Sequence, residues 1–144
     1  MIPPRSIGFE LRNVGNLFRR KLDRFCNADL DQNVTLMHGW VIDYLMQHSD
    51  SQIMQRDLEQ AFSIRKSTVS RAIKLMEKNG MIKREPVAYD ARLKRICFTE
   101  EAVKAQKAIE EAAKKVEQEA TKGISQQELD VFFKVLMKVK ENLL

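Results

Sequence analysis

The chain has 144 residues, of which 44% are apolar and 31% charged, a composition typical of one folded domain and too hydrophobic for a disordered chain. No more than three apolar residues stand in a row, so we expect neither a membrane span nor a signal-peptide core, and we expect a cytoplasmic protein. The net charge is +5, and residues 54–99 hold eleven Lys or Arg against five Asp or Glu. The positive charge is therefore concentrated in the central third of the chain.

Cysteine and histidine are too few and too scattered to suggest a metal site. Cys26 and Cys97 have no companion at metal-ligand spacing, and His38 and His48 are the only histidines. No glycine-rich phosphate loop, nucleophile elbow or acid–base dyad stands at a recognisable spacing. We therefore expect no metal, no cofactor and no enzymatic activity.

The first two predicted elements are helices. Apolar residues recur every three or four positions over about residues 5–27, which predicts a long amphipathic helix. The polar stretch 27–33 ends it. The same spacing then predicts a second helix from Val34 to about Gln47.

Two shorter helices and a hairpin follow. Residues 55–62 can form two turns of helix, and a second helix begins almost at once and is closed by Asn79-Gly80, since glycine tolerates the left-handed backbone at which helices often end. Residues 81–87 and 93–98 are short and strand-like, and residues 88–92 would form the tip of a hairpin. Apolar positions on the second helix are Val69, Ala72, Ile73 and Met76.

Two more helices complete the chain. Thr99 is placed to cap a long, alanine-rich helix that Gly123 ends, and Ser125 and Glu128 have the spacing of a capping box that starts a last helix. The first and last helices carry more large apolar side chains than one small domain could cover. Their apolar faces therefore favour an interface with another chain.

The order of elements within residues 55–99 is helix, tight turn, helix, strand and basic hairpin, which is that of a winged helix-turn-helix. The second helix of such a unit fits the major groove of duplex DNA. An arginine at the tip of the hairpin can enter the narrow minor groove beside it. Contacts between the cations and phosphates would account for the central surplus of charge. The pattern therefore predicts sequence-specific binding to double-stranded DNA.

The candidate DNA contacts lie on the second of these helices and on the hairpin. Arg92 is the candidate for the minor groove, and Asp90 could hold its guanidinium in a bidentate pair. Lys94 and Arg95 are candidate phosphate contacts. On the helix, small hydroxyl groups allow close approach to base edges and cations reach bases or phosphates. The helix candidates are Arg65, Lys66, Ser67, Thr68, Ser70, Arg71 and Lys74.

At these residues the sequence resembles the MarR family, the multiple antibiotic resistance regulators. The resemblance covers the whole chain in the order of elements and about residues 55–101 in motif detail. It is carried by Asp57-Leu58, by residues 62–71 (FSIRKSTVSR) and 77–82 (EKNGMI), by Asp90-Ala91-Arg92 and by residues 96–101 (ICFTEE). It implies a transcriptional regulator, which we expect to be a repressor.

The sequence departs from the family pattern at three positions. Ser63 stands where the family usually has a glycine in the turn, and Glu59 stands where it often has alanine. The turn is therefore expected to be tighter, or the helix pair slightly re-angled. Arg65 occupies the usual serine cap position, which removes a side-chain acceptor worth about 1 kcal/mol.

The resemblance also implies partners. It implies a homodimer in which the first helix and the last two interlock, with a pseudo-palindromic operator, and it implies a small phenolic or lipophilic effector that releases DNA. The candidate pocket residues are Phe18, Met37, Trp40 and Tyr44, for which core packing is the alternative. Some family members sense peroxides through a thiol near the position of Cys26, for which a buried, inert cysteine is the alternative.

We therefore predict a mainly α fold, a winged helix-turn-helix with a short β-hairpin wing plus N- and C-terminal dimerisation helices. The predicted divisions of this single domain are dimerisation helices at about residues 1–30 and 122–144, a winged part at about 50–100 and a connecting helix at about 100–121. The rival interpretation is a winged-helix module for protein assembly whose basic centre binds an acidic partner. A steep loss of DNA affinity with salt distinguishes the first from the second.

Overall fold

Six helices and one antiparallel β-hairpin make up the described part of the computed structural model, which covers residues 5–27 and 36–144. Every predicted element is present and in the predicted order. The proposed start of the second helix at Val34 lies outside the described residues. The elements are α1 (Ile7–Asn27), α2 (Leu36–Gln47), α3 (Gln55–Phe62), α4 (Lys66–Lys78), β1 (Ile82–Val87), β2 (Asp90–Phe98), α5 (Glu100–Ala120) and α6 (Gln126–Leu143).

The main hydrophobic core lies inside the winged part. Side chains from α2, α3, α4, the hairpin and the start of α5 pack together there, and the deepest include Ile42, Leu58, Ile73 and Met76. Phe62 at the end of α3 is partly buried at the edge of this core. His38 of α2 is also buried, and this burial lowers the pKa of its imidazole.

Two turns fix the position of α4. Ser63, the residue after α3, has a φ of 52° and is the one non-glycine among the described residues in the left-handed region. Ser63 therefore adopts the left-handed conformation that glycine would take at a lower cost, and the tighter turn or changed helix angle stays a prediction. At the other end, Gly80 has a φ of 71°, as its place after the helix predicted.

The hairpin is longer on its second strand than the sequence suggested. β1 and β2 pair regularly from Ile82 with Phe98 to Pro86 with Lys94, and the register then shifts so that Val87 pairs with Asp90. The expected five-residue tip is therefore wrong. Ala88 and Tyr89 form the turn, and residues 91–93 make a bulge in β2, because Asp90 already belongs to the ladder.

Thr99 ties the hairpin to α5. Its backbone N–H donates to the carbonyl of Met81 at 3.1 Å, and its hydroxyl accepts from the N–H of Ala102 at 3.2 Å, which makes it the N-cap that the sequence predicted. The same hydroxyl lies 2.6 Å from the carbonyl oxygen of Gly80. One residue therefore anchors both the wing and the long helix.

A second, smaller core joins α1 to α5. Leu22 and Cys26 of α1 are buried against Ala112 and Val116 of α5, with Phe18 and Phe25 partly buried beside them. At the edge of this contact Lys21 forms a salt bridge of 2.7 Å with Glu119. The thiol of Cys26 thus lies inside a packed interface between two helices.

The last helix, α6, begins as predicted, and its side chains are not buried by the rest of the described chain. Ser125 and Glu128 form the expected capping box, with a backbone donor of each residue satisfied by the side chain of the other. No residue of α6 is buried, although its apolar side includes Phe132 and Phe133. Within the described residues, none of the helices combines the length and apolar character that crossing a bilayer requires.

Candidate nucleic-acid interface

The first turns of α4 present a polar, basic surface. Val69, Ile73 and Met76 bury one side of the helix, so the intervening residues point outward. Ser67 is exposed, and Thr68 and Ser70 are partly exposed. The predicted cations on this helix are all exposed, namely Arg65, Lys66, Arg71 and Lys74.

Arg65 begins α4 without a side-chain cap. Its backbone is extended, with φ −64° and ψ 144°, and no side-chain group accepts a hydrogen bond from the first turn. Such a start leaves backbone N–H groups of the first turn without a side-chain acceptor. The guanidinium stands instead at the positive end of the helix, where an anion would be attracted.

The tip of the wing is ordered by Asp90. Its Oδ1 accepts from the backbone N–H of Arg92 at 2.9 Å and lies 3.4 Å from the Nε of the same residue. The expected bidentate pair is therefore wrong, because one carboxylate oxygen serves both contacts. Asp90 fixes the backbone of the bulge, while the side chain of Arg92 stays 92% exposed.

A cleft of about 1020 Å³ lies between the helix-turn-helix and the wing. Five cations and two carboxylates line it, so its surface is positively charged. Lys66 of α4 and Arg92 and Lys94 of the wing, all predicted contacts, share this cleft. The charged residues in its lining are Arg56, Asp57, Glu59, Lys66, Arg84, Arg92 and Lys94.

Sequence reasoning missed Arg84. Its guanidinium donates two hydrogen bonds of 3.0 Å to the carboxylate of Glu77, which joins β1 to the end of α4. Hydrogen bonding to Arg84 lowers the pKa of Glu77, so the pair remains charged at neutral pH. Arg84 and Lys94 lie on the same face of the hairpin, and strand alternation could have revealed that placement.

Arg95 lies on the other face of the hairpin. Its guanidinium donates to Glu85 at 2.7 and 3.0 Å, and these bonds lower the pKa of Glu85. Cys97 lies on the same face, and burial raises the pKa of its thiol. A phosphate contact by Arg95 stays a prediction, and it would require the guanidinium to serve both Glu85 and DNA or to exchange one for the other.

The four candidate pocket residues fall into two separate groups. Phe18 packs in the core between α1 and α5. Met37 and Tyr44 pack against the winged core, and Trp40 lies 6.5 Å from Phe62 between ring centroids. Trp40 is 50% exposed, so the second group has an open side.

These elements define a winged helix-turn-helix protein with long helices at both ends. A family model described as MarR family matches residues 32–93. One similar structure is the DNA complex of MepR from S. aureus. MepR is 22% identical to this chain, with a TM-score of 0.84, and the match covers 97% of this chain and 99% of MepR. The transcription regulator MarR from Oenococcus oeni PSU-1 is 26% identical with a TM-score of 0.70, covering 94% and 99%.

A further similar structure is the heme sensor PefR from Streptococcus agalactiae in complex with heme. It is 26% identical to this chain, with a TM-score of 0.69, and the match covers 99% of this chain and 95% of PefR. The family match lies on the winged part, and the structural likeness extends over nearly the whole chain. The winged part of this chain is therefore similar to the MarR family, and its overall fold is that of the solved MarR-family structures.

Proposed function

We propose that this protein is a transcriptional regulator, acting as a repressor, that binds a pseudo-palindromic duplex as a homodimer. In this proposal α4 enters the major groove and the wing enters the adjacent minor groove. The chain acts as a single domain with the predicted divisions, and it catalyses no reaction. The DNA complex of MepR, which shares the fold, supports this arrangement.

The observation that carries the proposal is the positive cleft between α4 and the wing. Its five cations come from α3, α4 and both strands, so four elements of the fold bring charge to one concave side. Neutralising phosphates with such cations releases condensed counterions and gives affinity for any duplex. Sequence preference must then come from the exposed hydroxyl groups and cations at the start of α4.

Each predicted contact has a role in this arrangement. Arg92 enters the minor groove, and Asp90 holds the bulge that presents it. Lys94 contacts a phosphate, as would Arg95 on release from Glu85. The residues proposed to reach base edges or flanking phosphates from α4 are Arg65, Lys66, Ser67, Thr68, Ser70, Arg71 and Lys74.

The dimer follows from the apolar surfaces of the two end helices. Ile7, Leu11 and Val14 of α1 are exposed, as are Phe132 and Phe133 of α6, and no residue of α6 is buried within the described chain. Burying both faces against a second copy removes this surface from water. A two-fold dimer then places its recognition helices about 34 Å apart, one turn of DNA.

Selection of bound duplexes from a random pool tests the proposal. We expect two inverted half-sites about one helical turn apart. Arg92→Ala should weaken binding to all sequences, while Ser67→Ala and Thr68→Ala should relax the base preference. The control is Lys138→Ala, which removes an exposed lysine of α6 and should leave binding unchanged.

The rival function, binding of an acidic protein, predicts a different dependence on salt. Duplex binding should weaken steeply as salt rises, because several phosphates are neutralised. Absence of duplex binding in dilute buffer would refute the DNA proposal and favour an acidic protein partner.

A small-molecule effector is the other part of the proposal. The open side of Trp40, beside Phe62 at the end of α3, would let a bound molecule press on the helix-turn-helix. Trp40 is the one tryptophan of the chain, so its fluorescence reports on this site. Titration with hemin and with simple phenols should change that fluorescence and release DNA. Release without a change at Trp40 would place the effector elsewhere.

A further inference from the structure

The tip of the wing exposes apolar side chains that the proposed function has not used. Most of the large exposed apolar residues of the described chain lie on α1 and α6, where a second copy would cover them. The hairpin has two of its own, Tyr89 at 70% exposure and Leu93 at 40%. Neither strand pairing nor the proposed dimer covers them.

The backbone of the tip directs these side chains toward the cleft. Tyr89 occupies the two-residue turn, and Leu93 ends the bulge that Asp90 orders. Both line the same concave surface as Arg92 and Lys94. The tip therefore places apolar groups and cations next to one another on one side.

A surface with adjacent apolar and cationic groups is suited to a partner with adjacent apolar and anionic groups. The wall of the minor groove alternates the apolar C–H faces of deoxyribose with anionic phosphates. A tyrosine ring can pack on a sugar while a neighbouring arginine enters the groove, and the ring is removed from water in the process. An exposed aromatic ring at a hairpin end is otherwise a site for unwanted association.

We propose that the ring of Tyr89 packs against a deoxyribose at the edge of the minor groove, beside the position of Arg92. This inference rests on the proposed function. Tyr89 then supplies binding energy without charge, whereas Arg92 supplies it through counterion release. The two contacts can be told apart, since a contact without charge leaves the salt dependence of the affinity unaltered.

The test measures affinity for one fluorescein-labelled duplex, taken from the selected pool, at a series of salt concentrations. The proteins are the wild type, Tyr89→Ala, Tyr89→Phe and Arg92→Ala, each used as the full chain. We expect Tyr89→Ala to bind about tenfold more weakly with an unchanged slope of log affinity against log salt. Tyr89→Phe should bind like the wild type, and Arg92→Ala should lower the slope by about two, because the proposed dimer loses one cation at each half-site.

Three results would overturn the inference. One is equal affinity of Tyr89→Ala and the wild type. Another is a slope for Tyr89→Ala that falls as it does for Arg92→Ala, and the third is a loss for Tyr89→Phe as large as that for Tyr89→Ala, which would assign the contact to the hydroxyl group. A wild type that binds no duplex would instead refute the proposed function itself. Thermal unfolding of each variant checks that this exposed turn tolerates the change.

Discussion

Ser63 adopts a strained, left-handed backbone in the turn that joins α3 to α4. A left-handed backbone costs an L-residue about 1–2 kcal/mol, and glycine avoids that cost at the expense of about 0.5–1 kcal/mol in the unfolded chain. The turn between α3 and α4 is held in this conformation without a glycine. The strained residue lies just before α4, the helix proposed to enter the major groove.

Ser63→Gly should therefore stabilise the protein by about 0.5–1 kcal/mol. Urea unfolding at a fixed protein concentration measures the effect. Ser63→Ala is the matched control, because alanine retains the steric conflict and should give no gain. A loss of stability in Ser63→Gly would mean that the serine side chain contributes more than the backbone strain costs.

Single residues were predicted best where their role is local. Thr99 as a cap, the box of Ser125 with Glu128, and Gly80 as a helix end each depend on a few neighbouring residues, and the structure confirms all three. The Asp90 contact was predicted with the wrong geometry. The register shift in β2 decides how many oxygens reach Arg92, and a spacing of two residues carries no information about that shift.

At the scale of elements, α4 begins without a side-chain cap and carries several exposed cations. Arg65 has the extended backbone of a capping residue but offers no acceptor. A serine there would accept a hydrogen bond from the first turn and add about 1 kcal/mol of stability. The same change would remove a cation from the proposed DNA surface.

Arg65→Ser should thus raise stability while lowering DNA affinity. The salt slope should fall by about two if Arg65 of each subunit contacts a phosphate. Parallel urea unfolding and duplex titration give both quantities. Arg65→Lys separates them, since it retains the charge and adds no cap. Undiminished binding by Arg65→Ser would remove this residue from the interface.

The contact between α2 and α5 depends on a glycine that patterning did not single out. A Cβ built on Gly39 would lie 2.6 Å from Cγ2 of Ile109, which is itself buried. The two helices approach closely at this point, and a β-branched side chain cannot easily withdraw. Periodicity identified both helices, but the contact joins residues far apart in sequence and belongs to neither pattern.

Gly39→Ala should destabilise the protein by about 1–2 kcal/mol, because overpacking outweighs the gain in helix propensity. Ile109→Ala removes the conflicting methyl group, so the double variant should lose about 1–2 kcal/mol less than the sum of the single ones. Gly15→Ala on α1 meets nothing within 4 Å and should be neutral or stabilising. Additive effects at Gly39 and Ile109 would show that the helices move apart freely.

At the scale of the whole molecule, the apolar face of α6 is not covered by any part of the chain that the structure describes. Phe133→Glu places a charge in the middle of that face and should convert the proposed dimer to a monomer. Duplex affinity should then fall about a hundredfold, since two linked half-sites bind more tightly than one. Analytical ultracentrifugation and duplex titration measure the two effects.

Lys134→Glu is the control for the dimer prediction, because it introduces the same side chain on the side shared with Asp130 and Lys138 and should leave the dimer intact. Circular dichroism shows whether the helices of each variant still form. A dimeric Phe133→Glu protein would contradict the proposed interface.

Surfaces that several elements build together could be predicted only in part. The apolar residues of α6 were expected to exceed what one small domain can bury, and no residue of α6 is buried within the described chain. Only some of the cations that line the cleft beside the wing were predicted from the sequence, namely Lys66, Arg92 and Lys94. Arg56 and Arg84 join it through the packing of α3 and β1, and no spacing within one element predicts that convergence.

An exposed last helix makes folding and pairing parts of one process. If a second copy covers the apolar side of α6, as proposed, the thermal midpoint must rise with protein concentration. Exchange of subunits between formed dimers requires this whole helix to be withdrawn from its partner. In the proposed dimer, subunits should therefore exchange slowly.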